Sequence, residues 1–320
     1  MSYENVFIHS SSFFLPEKIL SNSELSISLN IDENWIFSRT GIKERRILSK
    51  NEKTSNLASK ACDKLLKKST ILPEEIDLLI CCTITPDNLC PATACSIQKE
   101  IGLKNAVAFD INSACAGFIF GICTAYQYLK TGMYKNAIVV GVDILSRFTN
   151  YDDKNSCILF GDGAGAFLLE KSSKNSFIDF IIRSYGEYND IIKIPSTGTE
   201  LSNLKPFLTL NGREVFKWAI KSVYEIILEI IEKNNLSLSN IDYFILHQAN
   251  QRILDGIANK LKEPKEKFLS NIEKYGNTSS ASIPILFSEF EEKGFFKEGQ
   301  TIIMVGFGAG LSIGATIIRV

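Results

Sequence analysis

The stretch Leu72-Pro73-Glu74-Glu75-Ile76-Asp77-Leu78-Leu79-Ile80-Cys81 is echoed by Leu236-Ser237-Leu238-Ser239-Asn240-Ile241-Asp242-Tyr243-Phe244-Ile245. Each ends a helical segment, turns, and opens an apolar strand on Ile-Asp. A second pair follows in the same order: Phe160-Gly161-Asp162-Gly163-Ala164-Gly165-Ala166-Phe167 and Gly306-Phe307-Gly308-Ala309-Gly310-Leu311-Ser312-Ile313. Chance explains either pair alone; both together point to a duplicated unit, with halves spanning 1–170 and 171–320. Between the echoes, strand-like runs (Ala106–Phe109, Ala137–Gly141, Thr301–Val305) alternate with helical ones (Asn56–Lys68, Ala114–Thr131, Glu214–Asn234). That alternation predicts an α/β architecture. No stretch is long and polar enough to act as a flexible hinge between independent domains.

The bulk numbers narrow the function classes. A length of 320 residues with 45% hydrophobic content suits a globular chain with a large core. No apolar run reaches the roughly 18 residues a membrane-spanning helix needs. The opening Met1-Ser2-Tyr3-Glu4-Asn5 has no basic region leading into an apolar one, so no secretory leader is expected. A net charge of −1 excludes the basic excess typical of nucleic-acid binding. The eight cysteines form no Cys-x-x-Cys pair and sit mostly in apolar runs, as reduced thiols of a cytoplasmic protein would. With only two histidines, far apart, a metal site is not expected.

That scarcity shortens the search for catalytic groups, because imidazole is the side chain that titrates near neutral pH. His247 follows the strand Tyr243–Leu246 and precedes a helical run from Asn250 to Lys260, at the end of a parallel strand where open α/β sheets place ligands. His9 lies inside an alternating strand and reads as structural. Cys115 follows a buried strand and the turn formers Asp110, Asn112 and Ser113, with an apolar helix expected from about Ala114. In that first helical turn, free N–H groups and the helix dipole favour a thiolate. A buried cysteine is ordinarily a small core residue, and Cys123 and Cys157 read that way. Gly117 and Gly121 each cost the Cys115 helix about 1 kcal/mol of propensity, which implies close backbone packing along that face. Asn277, in Tyr275-Gly276-Asn277-Thr278-Ser279-Ser280, reads on its own as turn and cap chemistry. The two glycine-rich runs do not open the long helix a dinucleotide site requires and read as tight turns where the backbone must approach something closely. The second could aim a backbone N–H at a reacting carbonyl.

Taken together, these residues resemble the thiolase-type condensing enzymes, and most closely the β-ketoacyl-acyl-carrier-protein synthase III family. The markers run the length of the chain: Trp35-Ile36-Phe37-Ser38-Arg39-Thr40-Gly41-Ile42, the Cys115 run, Phe160–Ala166, His247-Gln248-Ala249-Asn250 and Tyr275–Ser279. The resemblance implies a duplicated, five-layered αβαβα sandwich, usually a homodimer. It implies a cofactor-free reaction: Cys115 takes an acyl group from acyl-coenzyme A, and malonyl-acyl carrier protein (malonyl-ACP) then loses carbon dioxide and attacks the acyl-cysteine. His247 and Asn277 would be neutral donors to the developing oxyanion, and the backbone N–H groups of Cys115 and Ala309 would form a second oxyanion hole. Trp35, Arg39, Lys154 and Asn211 match coenzyme A contacts. Arg213, Lys217 and Lys221 recur every four residues and, with Arg252, could receive the acidic carrier protein; for Lys221 alone a solvated charged face is an equal reading.

Three positions depart from the family pattern. Ala309 stands where glycine is common, which could shift the turn. Lys154 stands where an arginine often assists coenzyme A. Cys90 stands where a bulky aromatic often closes the acyl pocket from the neighbouring subunit, so primers longer or bulkier than acetyl are expected. Rival readings are a relative passing its acyl group to an amine or hydroxyl acceptor, a cysteine hydrolase with Cys, His and Asn in chain order, and a non-catalytic binding module. The hydrolase reading is ranked low because nothing like its Cys-Gly-Ser-Cys-Trp setting surrounds Cys115, and the module is disfavoured because all three reactive positions are present. The natural primer, the carrier protein and the pathway are not legible in the sequence.

Overall fold

A computed structural model describes residues 5–195, 198–199 and 205–320. The Met1–Glu4 stretch, read above for a leader, lies outside the described residues. The chain runs β1 (Asn5–Phe14), β2 (Lys18–Ser21), α1 (Asn22–Leu29), α2 (Glu33–Thr40), β3 (Glu44–Ile47), α3 (Thr54–Lys68), β4 (Leu78–Cys82), α4 (Thr93–Glu100), β5 (Val107–Ile111), α5 (Gly117–Lys130), β6 (Asn136–Ile144) and β7 (Asp162–Ser172). It continues through β8 (Phe177–Ser184), β9 (Ile192–Lys193), β10 (Thr209–Leu210), α6 (Gly212–Lys233), β11 (Tyr243–Leu246), α7 (Gln251–Leu261), α8 (Ile272–Tyr275), α9 (Ser282–Glu292), β12 (Thr301–Gly308) and β13 (Ser312–Arg319).

Two large sheets result, in strand orders β1-β7-β6-β4-β5 and β11-β12-β13-β8. Their pairings repeat. β4 is parallel to β6, β6 antiparallel to β7, and β7 antiparallel to β1. β11 is likewise parallel to β12, β12 antiparallel to β13, and β13 antiparallel to β8. The shared Ile-Asp has a matching job in each sheet. The Asp77 N–H donates to the Asn136 carbonyl at 3.0 Å, and its carboxylate accepts from the Asn136 N–H at 3.0 Å. Asp242 makes the same pair with Thr301, at 2.9 and 2.8 Å. One aspartate therefore pins the start of each inner strand to its parallel neighbour.

The glycine-rich echo sits in a different register from the one the sequence suggested. Phe160–Ala166 leads into β7, whereas Gly306 and Gly308 close β12. The equivalent cross-strand pairs are Gly141 beside Gly165 and Gly306 beside Gly314. Most of both runs is strand, and only Ala309–Leu311 turns. Close approach explains the glycines: a Cβ on Gly141 would lie 2.5 Å from the Ser280 carbonyl oxygen.

Helices α3 and α4 cover the outer face of the first sheet, α6 and α7 that of the second, and α5 and α9 fill the space between. This is a five-layered αβαβα sandwich. As expected for the middle layer, α5 buries Phe118, Ile119 and Ile122 completely. A Cβ on Gly121 would stand 2.4 Å from Cys82 Sγ and 2.9 Å from Val139 Cγ1, so the helix reaches β4 and β6 because that residue has no side chain.

Candidate active site

Cys115 lies where strand β5 gives way to helix α5, and the chain gets there through a tight kink. Ala114 has φ 47°, a left-handed conformation that costs an L-residue about 1–3 kcal/mol. Residues Ala114–Ala116 form a single 3-10 turn before the α-helix starts at Gly117. The nucleophile candidate therefore precedes the α-helix instead of sitting in its first turn. Against the thiolate that the helix dipole would favour, burial pushes the Cys115 thiol up to about 12, outweighing the Ser279 hydrogen bond that lowers it. Ser279 Oγ stands 3.3 Å from Sγ. From the other sheet, the end of β12 closes on the same residue: a Cβ on Gly308 would meet the Cys115 nitrogen at 2.7 Å.

Asn277 is held by its backbone and its side chain. Its N–H donates to the Leu159 carbonyl at 2.8 Å, and its carbonyl accepts from Gly161 at 3.0 Å. Its Oδ1 accepts from the Ser279 N–H at 2.9 Å, which leaves Nδ2 as the carboxamide's available donor. Ser279 itself has φ 52°, a second left-handed non-glycine in the same neighbourhood.

His247 is 2% exposed. Its backbone N–H caps the Val305 carbonyl at 2.8 Å, extending the β11–β12 ladder by one bond. Its ring meets Phe307 edge-on at 5.2 Å, and Nδ1 lies 2.7 Å from Ser282 Oγ. Burial pulls the imidazole down to about 3, with the Ser279 backbone pulling weakly the other way. The ring is neutral at neutral pH.

Beneath this cluster, Asp143 is fully buried at the end of β6. Its Oδ1 accepts from Thr83 Oγ1, the Ile84 N–H and Thr85 Oγ1 at 3.0, 2.8 and 3.1 Å. Its Oδ2 accepts from the Ser280 N–H and Oγ at 3.3 and 2.9 Å. Burial raises its pKa, and hydrogen bonds from the Ile84 backbone and the Ser279, Ser280 and Thr83 side chains oppose the rise. The carboxylate thus anchors the Thr278–Ser282 turn to the first sheet. Sequence reasoning missed Asp143, Ser279 and Ser282. The available signals were an acid inside the apolar run Ala137–Ile144 and four hydroxyls crowded ahead of an apolar helix.

A cavity of about 1130 Å³ opens onto Cys115, Asn277, Phe307, Gly308 and Ala309. His247 is not on its wall but stands behind Phe307, which is. One side is apolar, formed by Ile84, Leu145, Phe160, Ile192, Leu208 and Leu210. Trp35, Arg39, Asn211, Arg213, Lys217 and Arg252 also line it; all but the half-buried Trp35 are exposed and form the outer rim. The Arg39 guanidinium lies 5.3 Å over the Trp35 ring, and Arg252 lies 5.6 Å over Phe216. Ala309 carries no left-handed φ, and Gly310 takes that role at 124°, so alanine fits position 309 without backbone strain. Lys154 is exposed and does not line the cavity, although its neighbour Asn155 does. Cys90 is exposed and outside the cavity, and so is Lys221, which is 4.0 Å from Glu225. His9 Nδ1 pairs with Glu170 at 3.0 Å, away from the cavity lining. Among the described residues no three His, Cys, Asp or Glu side chains converge as metal ligands would.

Comparison with known proteins places this arrangement. Residues 109–186 match the profile for 3-oxoacyl-[acyl-carrier-protein] synthase III, and residues 231–320 match the profile for its C-terminal part. The chain is 43% identical over 316 residues to β-ketoacyl-[acyl-carrier-protein] synthase III of Clostridium acetobutylicum, covering 96% of each chain. Against the Streptococcus uberis protein of the same description the identity is 41%, again covering 96% of both. The solved 3-oxoacyl-[acyl-carrier-protein] synthase III of Aquifex aeolicus superposes with a TM-score of 0.94 at 37% identity, covering 99% of this chain and 100% of that one. The Thermus thermophilus synthase III superposes at 0.93 with 35% identity, covering 98% of each. This chain belongs to the β-ketoacyl-[acyl-carrier-protein] synthase III family.

Proposed function

We propose that this protein is an acyltransferase that condenses an acyl-coenzyme A primer with malonyl-ACP, releasing carbon dioxide and initiating fatty acid biosynthesis. The observation that carries the reading is that Cys115, from the first sheet, and the Asn277 carboxamide, from the second half, line one cavity, with the buried His247 imidazole packed behind its wall residue Phe307. In the first half-reaction Cys115 Sγ attacks the primer thioester. The S–H bond breaks, an acyl–sulfur bond forms, and the proton leaves with coenzyme A as its free thiol. The Cys115 and Ala309 N–H groups are the donors for this oxyanion. In the second, malonyl-ACP loses carbon dioxide, and the charge moves to its thioester oxygen. His247 Nε2–H and Asn277 Nδ2 receive that charge, and the carbanion attacks the acyl-cysteine carbonyl; the new carbon–carbon bond forms, the acyl–sulfur bond breaks, β-ketoacyl-ACP leaves, and the released Cys115 thiolate takes up a proton. A neutral imidazole suits this step, because it donates a hydrogen bond without first losing a proton to solvent.

We assign the rim to the two carriers: Trp35, Arg39, Asn211 and, outside the wall, Lys154 to coenzyme A, and Arg213, Lys217 and Arg252 to the acidic ACP. The chemistry asks for no cofactor, since acyl-coenzyme A is consumed as substrate. We further propose a cytoplasmic homodimer whose two halves divide near residue 170. An uncovered edge strand, β5, with Val107 47% exposed, supports a partner along that edge, and Cys90 would reach the partner's acyl pocket. No helix among the described residues is long and apolar enough to cross a membrane. The apolar wall from Ile84 to Leu210 and the small Cys90 favour primers longer than acetyl. Intact-mass analysis after incubation with acetyl-, butyryl- and octanoyl-coenzyme A tests this. A mass gain with the longer primers, lost in Cys115→Ser, is expected; labelling by acetyl alone would refute the long-primer reading.

A further inference from the structure

We propose that Ser282 is a positioning residue that fixes the tautomer of His247, keeping the proton on Nε2. The inference rests on the reading of His247 as an oxyanion donor and goes one residue deeper. Ser282 opens helix α9 and is 2% exposed, so its hydroxyl has no ready recourse to water. Two groups reach its oxygen: the Gln248 backbone N–H at 3.3 Å and His247 Nδ1 at 2.7 Å. The amide can only donate. It occupies one lone pair of Oγ and turns the hydroxyl proton away from itself. Among the described residues Oγ makes no other hydrogen bond, so Nδ1 is the acceptor in reach of that proton. An imidazole accepting at Nδ1 and neutral overall carries its hydrogen on Nε2. The Gln248 amide is itself held, because the Gln248 side chain is fully buried and donates to the Leu246 carbonyl at 2.7 Å. The rival arrangement puts the proton on Nδ1, donated to Ser282 Oγ. It leaves Nε2 as an acceptor, unable to stabilise an oxyanion.

Asn277 follows the same logic. Its Oδ1 is engaged by the Ser279 N–H, just as Nδ1 is engaged by Ser282, so one short turn commits the accepting atom of each group. Residues Ser279 to Ser282 would then aim two donors at one oxygen without touching substrate themselves.

Because the chain contains only His9 and His247, ¹⁵N-histidine labelling gives two ring systems, and their long-range ¹H–¹⁵N correlations report each tautomer. The full-length wild type is expected to show His247 protonated on Nε2. Ser282→Ala is expected to shift it to the Nδ1 form or a mixture. The same variant should lose about 10²-fold in kcat for malonyl-ACP decarboxylation, the size of losing one oxyanion donor. Its KM should stay unchanged, as should acylation of Cys115 read by intact mass, and Ser282→Thr, which retains Oγ, should recover activity. An Nδ1-protonated His247 in the wild type overturns the proposal, and needs no variant to fold. So does a Ser282→Ala protein with unchanged tautomer. A shifted tautomer with undiminished decarboxylation would leave Ser282's role standing and refute the oxyanion role of His247 instead.

Discussion

At the residue scale, the environment of Cys115 is dominated by burial, not by the helix it precedes. A thiol pushed up to about 12 is almost wholly protonated at neutral pH, so whatever stabilises the sulfur anion has a large effect on rate. Ser279 Oγ, at 3.3 Å, is the side-chain donor in place to do so. A hydrogen bond to a charged partner contributes about 1.5–3 kcal/mol, or roughly ten-fold to a hundred-fold in thiolate population. Ser279→Ala is therefore expected to slow iodoacetamide alkylation of Cys115 at pH 8 by at least about ten-fold, with its pH midpoint moved up. Alkylation at the wild-type rate would show that Ser279 does not act on the sulfur. Cys115 and His247 could be picked out in the sequence because each breaks the local pattern, a thiol behind turn formers and a rare imidazole at a strand end, whereas Asn277 reads locally as turn chemistry and entered only through the family resemblance. Ser279 and Ser282 could not be picked out. Their roles depend on which hydroxyl faces which element, and serine in a Ser-rich turn has a local explanation that needs no long-range partner.

At the element scale, strand and helix placement followed from periodicity to within a few residues: β11 falls on Tyr243–Leu246, and α6 starts at Gly212 where the pattern suggested Glu214. The start of α5 was missed because Ala114 adopts a left-handed backbone that nothing in an alanine advertises. The glycine runs were read correctly as places of close backbone approach but incorrectly as turns. Gly141, Gly165 and Gly308 lie in strands, and what demands glycine there is the other layer, invisible to local sequence. Gly121 makes the point testable. In an ordinary helix Gly→Ala gains about 1 kcal/mol. Here the new methyl group would overlap Cys82 Sγ, so Gly121→Ala is expected to destabilise by about 1–3 kcal/mol. Combining it with Cys82→Ala should return part of that loss, although Val139 remains close at 2.9 Å. Denaturant melts of the two single variants and the double variant measure the coupling. Additive losses would mean that α5 does not owe its position to this contact.

At the scale of the whole molecule, the duplicated pairing pattern was legible through Asp77 and Asp242, whose shared Ile-Asp signature performs the same ladder-closing task in both sheets. The acidic limb of stability tests how deeply the site lies between those sheets. His247 titrates near 3 in the fold against 6.5 when unfolded, so below pH 6.5 the unfolded chain binds the extra proton and stability falls as pH drops. Asp162, raised to about 6 by burial, acts in the opposite sense over pH 4–6, and the wild-type curve alone therefore blends the two. Comparison with His247→Asn isolates the first. From pH 7 to 4.5 the variant is expected to gain about 2–3 kcal/mol relative to wild type in urea unfolding. A constant difference across that range would mean the imidazole is not buried as described. The most direct test of the account is the release of labelled carbon dioxide from malonyl-ACP by wild type, His247→Ala and Asn277→Ala, each first acylated on Cys115. Intact acylation is expected in all three, with decarboxylation reduced by about 10²-fold or more in the two variants. Undiminished carbon dioxide release from either variant would contradict it.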